Sequence, residues 1–251
     1  MPMHDWTRVS AGTYHAFHNA WITHLQEALN AGLLPDPYYA LGEQQAGCFG
    51  PDVLALKAVD SEAPESLSAT PGKAMVAVDE APPQVRITQE AAEDVAYYLE
   101  RQRAVIIRHA TGDRVVAMIE IVSQANRHSA QTLNDFVGKI IASLQQGIHL
   151  VVIDPFPGGR HDPDGIHGLV WERLLAGNYS GVEGQPLTLV SYTAGHPIKA
   201  WIEPLCVGTA LTSMPLFLTT THYIPLPLEE TYTQSWVGVP ERWKRVIVPD
   251  V

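Results

Sequence analysis

Charge and cysteine are what this sequence has least of. Charged residues make up 17% of its 251 positions, below the usual share of roughly a quarter. The deficit falls on one sign: Lys and Arg number 16 against 27 Asp and Glu, a formal net charge of −11. A broad basic nucleic-acid-binding face is excluded by that balance, so any contact with a polyanion has to be local or metal-mediated. The two cysteines, Cys48 and Cys206, cannot make a disulfide framework and show no zinc-ligand spacing. No apolar run reaches transmembrane length. The opening Met1-Pro-Met-His-Asp-Trp6 lacks a basic region followed by an apolar one, so a soluble protein of the reducing cytoplasm is expected. Gly158-Gly-Arg-His-Asp162 has no phosphate-loop pattern. There is no Gly-x-Ser-x-Gly elbow, and Cys48 has no evident base, so covalent hydrolase chemistry is unsupported.

Hydrophobic residues make up 46% of the chain, enough for one sizeable core. A single domain over 1–251 is expected, with a core at about 13–155, an extension over 156–251 packed on it, and a surface insertion at 60–83. That insertion is rich in Ala, Pro, Ser, Glu and Asp and has little periodicity. Tyr14, Phe17, Trp21, Leu25 and Leu29 recur at three- and four-residue steps, which predicts a helix over 13–30 stopped near Gly32. Strands are predicted over 38–43 and 52–58, and a hairpin from Ala104–His109 and Arg114–Val122. A second helix over 132–146 carries Leu133, Phe136, Ile140 and Leu144, and a buried strand follows at His149–Asp154. Residues 90–100 are ambiguous between helix and strand. A Gly/His/Asp-rich loop runs to Gly168, further strands are expected at 187–192 and 200–205, and the Pro-rich Tyr223–Leu228 leads to a final helical patch ending near Arg245. A helix between two strands implies a mixed sheet with a crossover.

The chemistry sits on four residues. Glu120 interrupts the apolar run Val115–Val122, and a carboxylate in a strand that reads as buried is costly unless something positive meets it. Asp52 opens another apolar run, Glu43 lies one strand earlier, and Lys139 rides the following helix. Two carboxylates can hold a divalent metal that activates water and neutralises phosphate charge. In this reading Asp52 and Glu120 are metal ligands, with the Ile121 carbonyl as an added donor. Glu43 is auxiliary in catalysis, and Lys139 stabilises the transition-state charge or orients the water. The cofactor is Mg²⁺ or Mn²⁺. Each residue also has an ordinary reading. Pro51-Asp52 is a turn dipeptide, Glu43 an exposed strand residue, and Lys139 the helical partner of Asp135. Glu120 could be bridged to Arg108 or Arg114 across the hairpin. His4, His15, His18 and His24 read as polar-face histidines. His161, Asp162, Asp164 and His167 read as a flexible polar loop, with a pocket mouth as the alternative. Trp171, Trp201, Trp236 and Trp243 read as packing anchors.

The order helix, three strands, helix, strand resembles the PD-(D/E)XK nuclease superfamily. The position two residues after the acid, where its lysine usually stands, is Val122. The Uma-like restriction endonuclease group relocates that lysine to the next helix, which would be Lys139. A resemblance over nearly the whole chain is to bacterial domain-of-unknown-function family 4058. It is carried by His4-Asp-Trp-Thr-Arg-Val9, Tyr38–Leu41, Glu43-Gln-Gln-Ala-Gly47, Gly50-Pro-Asp-Val53, Ile107-Arg-His109, Glu120-Ile-Val-Ser123, Gly147-Ile-His-Leu150 and Tyr223–Leu228. Members of that kind read Ser-Pro-Gly/Ala-Asn-Lys after the acid, and this chain reads Ser123-Gln-Ala-Asn-Arg127. The resemblance implies an α/β fold: a restriction-endonuclease-like mixed central sheet flanked by helices, with a C-terminal β-rich extension. Family 4058 carries no activity over; the likeness to the nuclease superfamily, with the acids and Lys139, implies a Mg²⁺-dependent phosphodiesterase that meets nucleic acid at a local site, without a membrane and with a homodimer admitted. The competing class is a binding or assembly protein that keeps the core and has lost turnover; Gln124, Arg127 and the acidic composition favour it.

Overall fold

A computed structural model describes residues 2–42, 53–57, 86–90 and 114–248. Glu43, Asp52, the expected strand at 104–109 and the 60–83 insertion lie outside these residues.

The predicted first helix, α1, spans Ala11–Ala28, and Ser10 caps it by accepting the Thr13 backbone N–H. Tyr14, Phe17, Trp21 and Leu25 form its buried stripe. A wide turn over Leu29–Leu33 ends at Gly32, whose φ of +121° a side chain would strain. Strands β1 (Tyr38–Leu41), β2 (Val53–Lys57), β3 (Ile87–Glu90) and β4 (Arg114–Ile121) precede a second helix, α2 (Ala130–Gln145). Ser129 and Thr132 cap α2 reciprocally, and Leu133, Phe136, Val137, Ile140 and Leu144 bury its apolar face. Gly147, at φ +79°, turns the chain into β5 (His149–Asp154), which is buried throughout.

These strands lie in a mixed seven-stranded sheet of order β1-β2-β4-β5-β6-β7-β3. Only β4 and β5 pair in parallel, with Glu120 opposite Val152; every other neighbour pair is antiparallel. A parallel pair needs a crossover, and α2 supplies it. The C-terminal part lengthens this sheet as well as packing on it: β6 (Leu187–Thr193) and β7 (Lys199–Leu205) continue it beyond β5. Strands β8 (Met214–Phe217) and β9 (Tyr223–Leu226) form a separate hairpin, with β8 lying against β5 and β6.

Four elements depart from the sequence reading. Residues 165–173 form helix α3 (Gly165–Arg173) where a loop to Gly168 was expected. Gly165 turns at φ +73°, and Ile166, Val170 and Trp171 are buried behind it. Strands β3, β8 and β9 were unpredicted: β3 shows no apolar alternation, and Pro215 and Pro225 read against strands in β8 and β9. Just before β3, Arg86 is drawn to the distant β7 by its Nε, 2.6 Å from Glu203 Oε1.

Two further helices, α4 (Leu228–Val237) and α5 (Glu241–Ile247), end the described chain. Helix α4 packs on α1, where Trp21 Nε1 donates to Thr231 Oγ1 at 3.1 Å. Beside it, the His4 backbone N–H and Trp6 Nε1 both donate to the Tyr232 hydroxyl at 3.1 Å. The one phenolic proton is therefore given to His4 Nδ1, 2.8 Å away, which leaves the imidazole proton on Nε2. Trp171, Trp201 and Trp236 are buried and Trp243 is partly buried against the core, so these rings act as packing anchors.

Candidate functional site

Helix α2 returns over the sheet so that a residue between Phe136 and Ile140 faces β4. That residue is Lys139, and its Nζ lies 2.7 Å from Glu120 Oε1. The carboxylate is 1% exposed and the lysine 13%. The cation that sequence logic demanded for Glu120 is thus Lys139, and not Arg114, which is exposed at the start of β4; Arg108 is outside the described residues. Lys139 also stands 5.8 Å from the Phe136 ring centroid. Asp135, the helical neighbour considered for Lys139, accepts from Gln131 Nε2 at 2.7 Å.

Beyond Glu120 the end of β4 is fastened from two sides. Carbonyl oxygens only accept, so His18 Nε2 donates to Ile121 O at 3.0 Å. The Tyr14 hydroxyl, one turn earlier on α1, donates to Val122 O at 3.0 Å. The Val122 N–H continues the ladder to Ile153 O at 2.8 Å. The Ile121 carbonyl, expected as a metal donor, is therefore already engaged by His18. On the other side of β4, Val53 is the ladder partner of Ile119. Asp52 precedes Val53 in the chain, and Glu120 follows Ile119.

A second cluster lies at the carboxyl end of β5, beside the first. Arg127 Nη2 reaches Asp154 Oδ2 at 2.5 Å and Asp162 Oδ2 at 2.9 Å. Its Nη1 donates to the carbonyls of Phe156 and Pro157, at 3.0 and 2.6 Å. Asp154 also accepts the N–H of Phe156 at 3.4 Å and of Ile166, in the first turn of α3, at 3.3 Å. Burial pushes the Asp154 carboxyl up to about 6; Arg127 and the two amides pull the other way, and Asp162 adds to the rise. Asp154 stays ionised at neutral pH. Asp162 is 2% exposed and His167 1% exposed, so neither belongs to a flexible polar loop.

The polar-face reading of the N-terminal histidines holds for His15, which is exposed, and fails for His4 and His18, which are 4% and 7% exposed. His4 is stacked on Trp236 with centroids 3.6 Å apart, and burial lowers its pKa to about 4. His149 is held neutral by burial and by Arg114, its pKa about 4, and its Nδ1 accepts the Ala194 N–H at 3.0 Å. His167, with Nδ1 2.6 Å from the Tyr192 hydroxyl, is lowered to about 3 by burial. These rings serve the core.

Sequence reasoning brought Glu120 and Lys139 together and missed Asp154 and the purpose of Arg127. The available signals were an acid closing an apolar strand before Pro155 and an Arg three residues beyond the turn that follows Glu120. Among the described residues no group of three or more His, Cys, Asp or Glu is placed to hold a metal ion, and no helix is long and apolar enough to cross a membrane. No family model, curated protein or solved structure matches this chain.

Proposed function

We propose that the protein is a Mg²⁺-dependent phosphodiesterase of the nuclease-like class acting on nucleic acid. The observation that carries this reading is the 2.7 Å pairing of Glu120 with Lys139 at the carboxyl end of the strand that enters the α2 crossover. The restriction-endonuclease-like assignment of the fold, the kinship with family 4058, a cytoplasmic location and a homodimeric state belong to the same proposal. Support comes from the element order α1, β1, β2, β3, β4, α2, β5, in which β3 goes to the far edge of the sheet and β1, β2 and β4 stay together, and from the parallel β4–β5 pair. Ligands of open α/β sheets gather at the carboxyl ends of such strands.

The donor chemistry fits a hard cation in part. Glu120 offers the carboxylate oxygen that Mg²⁺ takes, and one or two such groups suffice. Asp52 is the second donor in this reading, and Glu43 the auxiliary acid. A bound Mg²⁺ would supply charge neutralisation at the phosphate and an acidified water. Lys139 holds the Glu120 carboxylate in one orientation and brings a positive charge to the place where phosphate charge grows. His18 and Tyr14 keep the strand end from moving.

Plasmid nicking in Mg²⁺ or Mn²⁺ tests the reading, with Glu120→Gln and Lys139→Met as variants. Metal-dependent nicking by the wild type and at least a hundredfold loss in both variants is the expected result. Equal nicking by wild type and Glu120→Gln overturns it. One observation favours the second reading, a binding or assembly protein that keeps the core without turnover: Arg127, which stands where family 4058 carries lysine, is committed to two carboxylates and two carbonyls. Oligonucleotide binding without nicking under any divalent ion is the result that selects it.

A further inference from the structure

The loop 155–164, between β5 and α3, separates its charges. Its acids are turned inward. Asp162 is ion-paired with Arg127 at 2.9 Å through Oδ2 and accepts the Gly159 N–H at 3.0 Å through Oδ1. Asp164 accepts the Gly181 N–H at 3.0 Å. Its basic residues, Arg160 and His161, are exposed and make no hydrogen bond or ion pair among the described residues. The tip just before those acids, with Arg160 outward, is therefore cationic in a chain whose net charge is −11.

The tip is also rigidly seated. Arg127 grips the Phe156 and Pro157 carbonyls and both Asp154 and Asp162. Gly158 lies so close to the returning chain that a Cβ there would meet the Asp162 and Pro163 carbonyl oxygens at 2.6 and 2.5 Å. The seat is at the carboxyl end of β5, whose Val152 lies opposite Glu120. A fixed cationic tip on a loop seated at the carboxyl end of β5, the strand next to the one that carries Glu120, has the charge to hold a phosphodiester backbone.

We propose that Arg160 and His161 form a phosphate-contacting element that positions a nucleic-acid strand at the carboxyl end of β4 and β5. It rests on the nuclease-like reading for the nature of the ligand. The Arg127–Asp154–Asp162 cluster is its scaffold and does not itself touch the strand.

The test uses the full chain with Glu120→Gln, so that nothing is turned over, and a fluorescent single-stranded oligonucleotide read by anisotropy without divalent ions. Adding Arg160→Ala should weaken binding about tenfold and reduce the slope of log K against log salt by about one, because one phosphate contact is lost. Arg160→Lys should restore the slope, and Arg173→Ala, an exposed cation on α3, should leave both unchanged. Unaltered affinity and slope in Arg160→Ala overturn the proposal, as does equal weakening by Arg173→Ala or tighter binding to anionic phospholipid vesicles than to the oligonucleotide. An Arg160-dependent slope without metal-dependent nicking by the wild-type protein would keep this element and discard the phosphodiesterase. Nicking with an Arg160-independent slope would do the reverse.

Discussion

Lys139 of α2 and Glu120 of β4 meet at 2.7 Å inside the crossover that links the two parallel strands. Their pairing joins fold and site, because the helix that makes the parallel connection also delivers the counter-charge for the strand's only acid. Removing one partner strands a charge in a nearly dry place, at a cost of about 3–5 kcal/mol. Glu120→Leu and Lys139→Met should therefore each lower the denaturant midpoint sharply. The double variant should recover most of the loss, since an apolar pair needs no compensation. Urea unfolding of the three variants checks this, and additive losses in the double variant would show that the two residues do not interact.

Acid should destabilise the protein between about pH 6.5 and 4. His4, His149 and His167 have pKa values lowered by burial to about 4, 4 and 3. Unfolding frees them to take up protons below the ordinary histidine value near 6.5, so their contribution is present above that pH and lost as pH falls. Asp154 acts oppositely, because its raised pKa of about 6 lets the folded state bind a proton first as pH drops. Three proton uptakes against one release leave about two near pH 5, on the order of 3 kcal/mol of stability per pH unit from these four groups. Calorimetric melts from pH 7 to 4.5 measure that slope, and Asp154→Asn should steepen it toward three protons.

Arg127→Lys keeps the charge and loses the fork. A lysine ammonium cannot serve two carboxylates and two carbonyls in the geometry a planar guanidinium does. Hydrogen exchange of residues 156–165 should accelerate, with a stability loss of about 2 kcal/mol, the scale of charge-assisted bonds broken in a buried site. Unchanged protection in that segment would mean that the loop holds itself.

Gly158→Ala drives a methyl group into the carbonyls of Asp162 and Pro163. Backbone has to shift, which costs about 1–3 kcal/mol. The variant should stay folded, with altered amide shifts confined to 156–165 and weaker oligonucleotide binding. A melting temperature and spectrum like those of the wild type would place the glycine's neighbours elsewhere.

Much of the framework was legible. The α1 stripe of Tyr14, Phe17, Trp21 and Leu25, the α2 stripe, and strands β4 and β5 follow from periodicity and stop signals, because each buries one face over several turns or a whole strand. Glu120 was legible as an acid in need of a cation; its partner was not, because sequence offers three candidates and only the path of α2 selects one. Strand β3 was hidden because its pairing with β7 is entirely non-local. Helix α3 was hidden because His167 and Gly168 read as loop residues, whereas burial against Tyr192 and close approach to Asp164 are what select them. Arg127 was read as the stand-in for a family lysine and Asp154 as a strand terminus; a salt bridge between them exists only once β4 and β5 lie side by side.

The edge pairing of β3 with β7 has a consequence for biosynthesis. Residues 87–90 hydrogen-bond to residues 199–202, and the Tyr232 hydroxyl closes on His4 and Trp6. A nascent chain leaves the ribosome with its first helix and one sheet margin waiting for partners made more than a hundred residues later. Such late closure exposes apolar faces for seconds during synthesis, the interval in which chaperones act. Chains stopped before residue 199 should be captured by proteases, whatever the intrinsic quality of the segments already made.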